Sequence, residues 1–360
     1  MNADADLSLQ IVTKERTEWE NKHHNFTQSI KGLYDVWNPD IGDGEEMQGL
    51  RATVSGLQGL IRQASEENVR LRPLGSGWSF SRVAAANGWL LNTKPLNWIF
   101  QMSRASVSDE YPGEADDLLF TQCGASVRQL NEYLQEWQRS LKTAGASNGQ
   151  TIAGAFSTGT HGSAVRVGAM QDFVVGLHLI VGEARHIWLE RASYPVVSDG
   201  FIDRLGTERI RDDTLFNTAL VSLGGFGVIH AAIIETEPIY LLEAHRQRAP
   251  LSDGLRHTID TLDFSDAPVP YPDEEPYHFQ VVVNPYDLEE GVYVETMYKR
   301  PYSADYARPE KGPGGLGPGY DLLHLIGTLS DEIPDMIPGI MGGFFESLYG
   351  EFSNRTGTLG

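Results

Sequence analysis

Three stretches of small residues constrain this chain more than any other feature. The first, Arg72-Pro73-Leu74-Gly75-Ser76-Gly77-Trp78-Ser79-Phe80, directly follows a strand-like alternation at Val69-Arg70-Leu71-Arg72. The second is Thr151-Ile152-Ala153-Gly154-Ala155-Phe156-Ser157-Thr158-Gly159-Thr160-His161-Gly162-Ser163, and the third is Leu223-Gly224-Gly225-Phe226-Gly227-Val228-Ile229. Glycine in a turn lets backbone N–H groups converge on an anion, because no Cβ blocks the approach. The hydroxyls of the second stretch suit close contact with a flat, polar ligand. With 38 glycines in 360 residues, each stretch alone reads more readily as a tight turn. Three in order point to a ligand.

Known motifs narrow the choice. A dinucleotide fingerprint needs a third glycine where Phe80 stands, and no G-x-x-x-x-G-K-S/T loop is present, so a generic NAD site and a P-loop are excluded. Gly145-Ala146-Ser147-Asn148-Gly149 matches the nucleophile elbow of serine hydrolases. That motif requires a strand before it and a helix after it, and neither is expected here. A Ser147 hydrolase is a remote alternative.

The surrounding pattern is mixed helix and strand. Residues 1–32 read as a polar, solvated lead-in, with structure beginning near Leu33–Trp37. Val54, Leu57, Leu60, Ile61 and Ala64 share one helical face, ended by Asn68. Strands are predicted at Trp89–Asn92, Leu118–Thr121, Phe173–Val181 and Val228–Ile234. Helices are predicted at 215–223 and at Val127, Leu130, Leu134, Trp137 and Leu141, all five on a buried side. After Pro238, His278–Val283 and Val292–Tyr298 read as an antiparallel pair. Residues 311–319 read as a loop and 322–349 as a helical excursion.

A net charge of −21 opposes nucleic acid and anionic membranes as partners. No run of ~18 apolar residues suggests a membrane span, and the polar N-terminus does not read as a signal peptide. The Asn-x-Ser/Thr triplets at Asn25 and Asn354 read as chance matches. Cys123, the single cysteine, allows no internal disulfide, fits a reducing, cytoplasmic setting, and reads as a small core residue. The histidines show no metal-ligand spacing, so no metal is expected.

In the order of its three segments, the chain resembles the FAD-binding domain of the vanillyl-alcohol oxidase (p-cresol methylhydroxylase, PCMH-type) flavoprotein superfamily, nearest its alditol oxidase and sugar-lactone oxidase branch. The likeness runs from Leu33 to Ile239. The Thr151–Ser163 stretch is its most specific part, Phe226-Gly227-Val228-Ile229 supports it, and Pro238 closes the domain. The resemblance implies an α+β fold: a two-subdomain FAD-binding domain over 33–239, then a partial α+β substrate (cap) domain over 240–360.

It also implies site residues. Pro73, Leu74, Gly75, Ser76 and Gly77, with Ser79, would wrap the diphosphate of FAD, and Trp78 would be a further cofactor-binding position. Thr151, Gly154, Ser157, Thr158, His161 and Gly162 would lie along the flavin and ribityl chain, with His161 a structural contact rather than a base. Val228 and Ile229 would wall the adenine end. Many members carry a histidine at the place of Trp78, joined covalently to the flavin; Trp78 therefore implies noncovalent FAD. Cys123 does not match the second attachment site of bicovalent members.

The implied reaction is hydride transfer from an alcohol, polyol or sugar lactone to flavin, with oxygen or another acceptor reoxidising it. Catalytic residues are not assigned. Relatives usually continue past the length of this chain, so a catalytically incomplete flavin-binding protein is an alternative. Glu295, Lys299 and Arg300 read as a solvated strand face, or else as residues reaching a polyol or lactone.

Overall fold

The computed structural model describes residues 10–42, 44–145 and 147–306, and the backbone of a strand at Arg355–Leu359. The stretches 311–319 and 322–349 and the triplet at Asn354 lie outside the described residues. The chain forms two compact units. One contains residues 1–144, 148–160 and 169–237; the other contains 145–147, 161–168 and 238–360.

The first unit opens with β1 (Gln10–Lys14) and a short hairpin of β2 (Glu18–Glu20) and β3 (Thr27–Ser29). This corrects the expectation of a solvated lead-in: Trp19, Asn21 and His23 are buried, and Trp19 packs with Ile30, Leu33 and Leu74. Three-residue strands carry too little periodicity to be read from sequence. β4 (Gly32–Trp37), helix α1 (Glu46–Glu66), β5 (Leu71–Leu74) and β6 (Trp89–Asn92) follow. The sheet order is β1-β4-β6-β5. β6 runs parallel to both β4 and β5, while β1 joins β4 antiparallel. Helix α1 buries Leu50, Val54, Leu57, Leu60 and Ala64, close to the predicted face. Each such side chain removed from water contributes roughly 1.5–3 kcal/mol.

A larger sheet follows, built from β7 (Ile99–Gln101), β8 (Leu118–Gln122), α2 (Val127–Glu136), β9 (Arg139–Ser140), α3 (Ile152–Ser157), β10 (Val174–Ile180), β11 (His186–Glu190), α4 (Asp199–Leu205), β12 (Glu208–Arg211), α5 (Asp213–Leu220) and β13 (Val228–Glu235). Its order is β12-β11-β10-β13-β8-β7. The pairs are antiparallel except β11 with β12. One face packs Leu119, Leu177, Leu179 and Leu189 against Phe156, Phe173 and Phe216. The other packs Phe120, Val175, Trp188 and Ile233 against Leu50, Phe201 and Leu205. Both faces are covered, so strands read as continuous apolar runs rather than alternations.

Ser126 caps α2 reciprocally with Gln129, and the helix ends at Glu136. Trp137 is therefore 51% exposed and Leu141 lies beyond the helix; the five-residue face predicted from spacing is three residues long.

The second unit holds β14 (Glu237–Pro238, of which Pro238 belongs here), β15 (Tyr240–Ala249), α6 (Asp253–Thr261), β16 (His278–Val282), β17 (Val292–Pro301) and β18 (Arg355–Leu359). Its antiparallel sheet has the order β16-β17-β15-β18, and the expected pair registers His278 against Met297. The whole is an α+β fold, as the sequence resemblance implied.

Candidate functional site

The three small-residue stretches, the second of them as far as Thr160, meet in the first unit, for reasons that are local. Gly75 lies so close to Thr151 that a Cβ there would stand 2.2 Å from the threonine Oγ1. Thr151 caps α3, accepting from the Gly154 N–H at 3.4 Å. The third stretch is tied to the second by the Leu223 N–H, which donates to the Ser157 carbonyl at 3.2 Å. It is tied to the first by Arg72, whose guanidinium donates to the carbonyls of Leu223 (2.6 Å), Gly224 (3.4 Å) and Val83 (2.7 Å). Gly227 sits at φ +107, where a Cβ would meet the Ile180 carbonyl at 2.4 Å, so only glycine brings the stretch back into β13.

Together they enclose a cavity of about 210 Å³. A buried water needs only ~10–15 Å³ of such space, so the cavity suits a ligand. Pro73, Gly75, Ser76, Gly77, Trp78 and Ser79 line it from the first stretch. Thr151, Gly154, Ser157 and Thr158 line it from the second, and Ile229 from the end of the third.

The remaining sequence candidates are not among the lining residues. Leu74 and Val228 are turned into apolar clusters. His161 and Gly162 belong to the second unit and are not among the lining residues; the His161 Nδ1 lies 3.1 Å from the Gly162 carbonyl. Sequence reasoning missed Arg72, Thr93, Cys123, Gln150, Thr160 and Gly224, which also line the cavity. Arg72, Thr160 and Gly224 stand within the three stretches, whereas Thr93, Cys123 and Gln150 lie outside them.

The electrostatics of the cavity run against those of the molecule. In a chain of net charge −21, no Asp or Glu among the described residues lines it, and the one charged lining residue among them is Arg72. Burial, reinforced by Arg70, lowers the Arg72 pKa. Within the first turn, none of the N–H groups of Gly75 to Phe80 has an acceptor among the described residues. The buried Ser157 Oγ and Gln150 Oε1 also lack partners. Unpaired buried polar atoms are rare without a ligand or ordered water. The donor set, the lone arginine and the absence of carboxylates fit an anionic, hydrogen-bonding ligand. Cys123 lines the same cavity with its thiol pushed up to about 12 by burial, too high for a nucleophile. Ser147 stands in irregular backbone with no helix beginning before Ile152, so the strand–turn–helix of a nucleophile elbow is absent there.

In the second unit, Glu295, Lys299 and Arg300 are not a solvated face. Glu295 pairs with Arg246, and Arg300 bridges Glu243 (2.7 Å) and Glu274 (2.6 Å). The Lys299 ammonium lies over the rings of Tyr277 and Tyr240, 3.9 and 4.2 Å from their centroids. Ser163 Oγ and His278 Nδ1 are 3.2 Å apart, and burial, with Lys299, lowers the His278 pKa to about 4. Among the described residues, no cluster of side chains could hold a metal ion.

Known proteins share this architecture. Residues 51–190 match the FAD binding domain family. L-gulono-1,4-lactone dehydrogenase of Mycobacterium tuberculosis is 28% identical over 256 residues, covering 71% of this chain and 49% of that protein. D-arabinono-1,4-lactone oxidase of Debaryomyces hansenii is 26% identical over 66% of this chain and 40% of its own length. The chain thus spans about half the length of these relatives or less. Among solved structures, cholesterol oxidase from B. sterolicum superposes with a TM-score of 0.61 at 14% identity, over 97% of this chain and 60% of that one. The chain is thus similar to the FAD binding domain family over residues 51–190, to sugar-lactone dehydrogenases and oxidases in sequence, and to cholesterol oxidase in fold.

Proposed function

We propose that the chain is an FAD-dependent oxidoreductase acting on a CH–OH carbon of a sugar lactone or related polyol. The observation that carries this reading is the acid-free cavity where the three stretches meet. Residues of the 73–79 turn would hold the diphosphate with N–H groups that have no other acceptor. Arg72 would offset its charge from the rim. Thr151, Gly154, Ser157 and Thr158 would run along the flavin and ribityl chain, with the Ser157 hydroxyl and Gln150 amide finding there the partners they lack. Ile229 would supply an apolar wall. FAD, when bound, supplies the hydride-accepting centre; the protein orients it and excludes water. We further propose that FAD is held noncovalently, because Trp78, on the cavity wall, carries no nucleophile to tether it. Oxygen or another small acceptor would reoxidise it. Among the described residues, no helix is long and apolar enough to cross a membrane. A cytoplasmic location is our reading from the single cysteine.

The test uses the purified full chain loaded with FAD. Acid precipitation should release the yellow colour to the supernatant; colour left in the pellet would refute noncovalent attachment. Anaerobic addition of L-gulono-1,4-lactone or D-arabinono-1,4-lactone should bleach the flavin band. Bound FAD that no lactone or polyol bleaches would reduce the function to flavin binding alone.

A further inference from the structure

The hairpin β2–β3 makes a series of contacts that the cofactor reading does not use. The Lys22 N–H donates to the Gly77 carbonyl at 2.9 Å. His23 Nε2 lies 3.0 Å from the Trp78 carbonyl, which can only accept, so this nitrogen carries the proton. Asn21 Nδ2 donates to the Ser79 carbonyl at 3.0 Å, and Asn25 Nδ2 to the Phe80 carbonyl at 3.0 Å. Four consecutive carbonyls of the first turn are thus taken by one hairpin. Its own geometry is locked: Asn21 Nδ2 also donates to Asn25 Oδ1 at 2.6 Å, and the Asn25 N–H returns to Asn21 Oδ1 at 3.1 Å. The His23 ring stacks on Phe80, with centroids 4.1 Å apart.

These bonds decide where the N–H groups point. In a trans peptide, the carbonyl of one residue and the N–H of the next are directed oppositely, and the described residues have no cis bonds. With the carbonyls of Gly77, Trp78 and Ser79 drawn to the hairpin, the N–H groups of Trp78, Ser79 and Phe80 face away from it. None has an acceptor among the described residues, and Trp78 and Ser79 are cavity-lining residues. Free peptides would flip to pair such donors; here their carbonyls are held.

We propose that the 18–29 hairpin is a positioning element of the anion-binding turn: by occupying its carbonyls, it keeps its N–H groups aimed for the cofactor's diphosphate. Asn21 and Asn25 are positioning residues; neither lines the cavity. This rests on the cavity's being the FAD site.

The experiment compares the full-length parent with N21A/N25A. Each is stripped of flavin and titrated with FAD and with riboflavin, which has the same ring but no diphosphate. Thermal unfolding of the flavin-free forms is followed by circular dichroism. The double variant should bind FAD about tenfold more weakly, equivalent to about 1.4 kcal/mol, while riboflavin binding stays unchanged. Equal FAD affinity in parent and variant would overturn the hairpin's role, as would losing FAD and riboflavin in equal proportion. A parent that binds no FAD would instead overturn the cofactor reading, and this inference with it. Should the double variant fail to fold, N25A alone, altered only at a surface side chain, should lose about threefold in FAD affinity and none in riboflavin; no loss would overturn the proposal.

Discussion

At the scale of single residues, Gly75 is the most exacting position. A Cβ there would press on the Thr151 hydroxyl, and that hydroxyl cannot rotate away without giving up the cap of α3. Overpacking and a lost cap each cost about 1–2 kcal/mol. Gly75→Ala should therefore lower stability by about 1–3 kcal/mol in urea unfolding and weaken FAD binding by an order of magnitude or more; a variant with parental FAD affinity would show that the two stretches need not touch. Gly75 was singled out from sequence because its spacing after a strand is a chemical pattern. Gln150 and Thr93 were not, because nothing in their neighbours tells a cavity-lining amide or hydroxyl from an ordinary polar one. Trp137 fails the other way: helical spacing reaches it, yet α2 ends one residue earlier.

At the scale of elements, one side chain couples β5 to the turn before β13. Leu223 holds a left-handed φ of +51, uncommon for a non-glycine residue, and its carbonyl receives Arg72. Arg72→Leu removes three hydrogen bonds to carbonyls and a cation from the cavity lining. It should weaken FAD binding at least tenfold. Amide exchange at 222–227 should rise while α1, whose face is buried elsewhere, keeps its protection. Unchanged exchange in that turn would mean the arginine is not what holds it. Helix α1 and strands β6, β8, β10, β13, β16 and β17 were legible because long apolar runs or a helical face announce them. The β2–β3 hairpin was not, since its order comes from hydrogen bonds to residues some 55 positions away, with no local periodicity.

At the scale of the whole molecule, three histidines couple strands of the larger sheet. His178 Nδ1 lies 2.9 Å from His230 Nδ1, and His178 Nε2 lies 2.9 Å from His186 Nδ1. Burial lowers the pKa of all three: His230 to about 3, and His178 well below the ordinary value with further repulsion from His230 and His186. The unfolded chain takes up these protons near pH 6.5 while the folded one does not. Their neutral-state stability is therefore intact above pH 6.5 and lost progressively as pH falls from there toward 3. The overall negative charge also titrates in this range, so the informative quantity is a difference. His230→Gln should show a smaller loss of thermal midpoint between pH 7.5 and 5 than the parent; identical pH slopes would refute the histidine origin. By itself the sequence determined the mixed helix–strand class, the three stretches and their order, and the resemblance that follows from them, since these depend on periodicity and on residue types a few positions apart. Only the tertiary structure decided that Gly75 abuts Thr151, that Arg72 spans to Leu223, and that an N-terminal hairpin bonds the carbonyls of the first turn. Such contacts join residues tens to more than a hundred positions apart, and they follow from how sheets and helices pack rather than from any spacing along the chain.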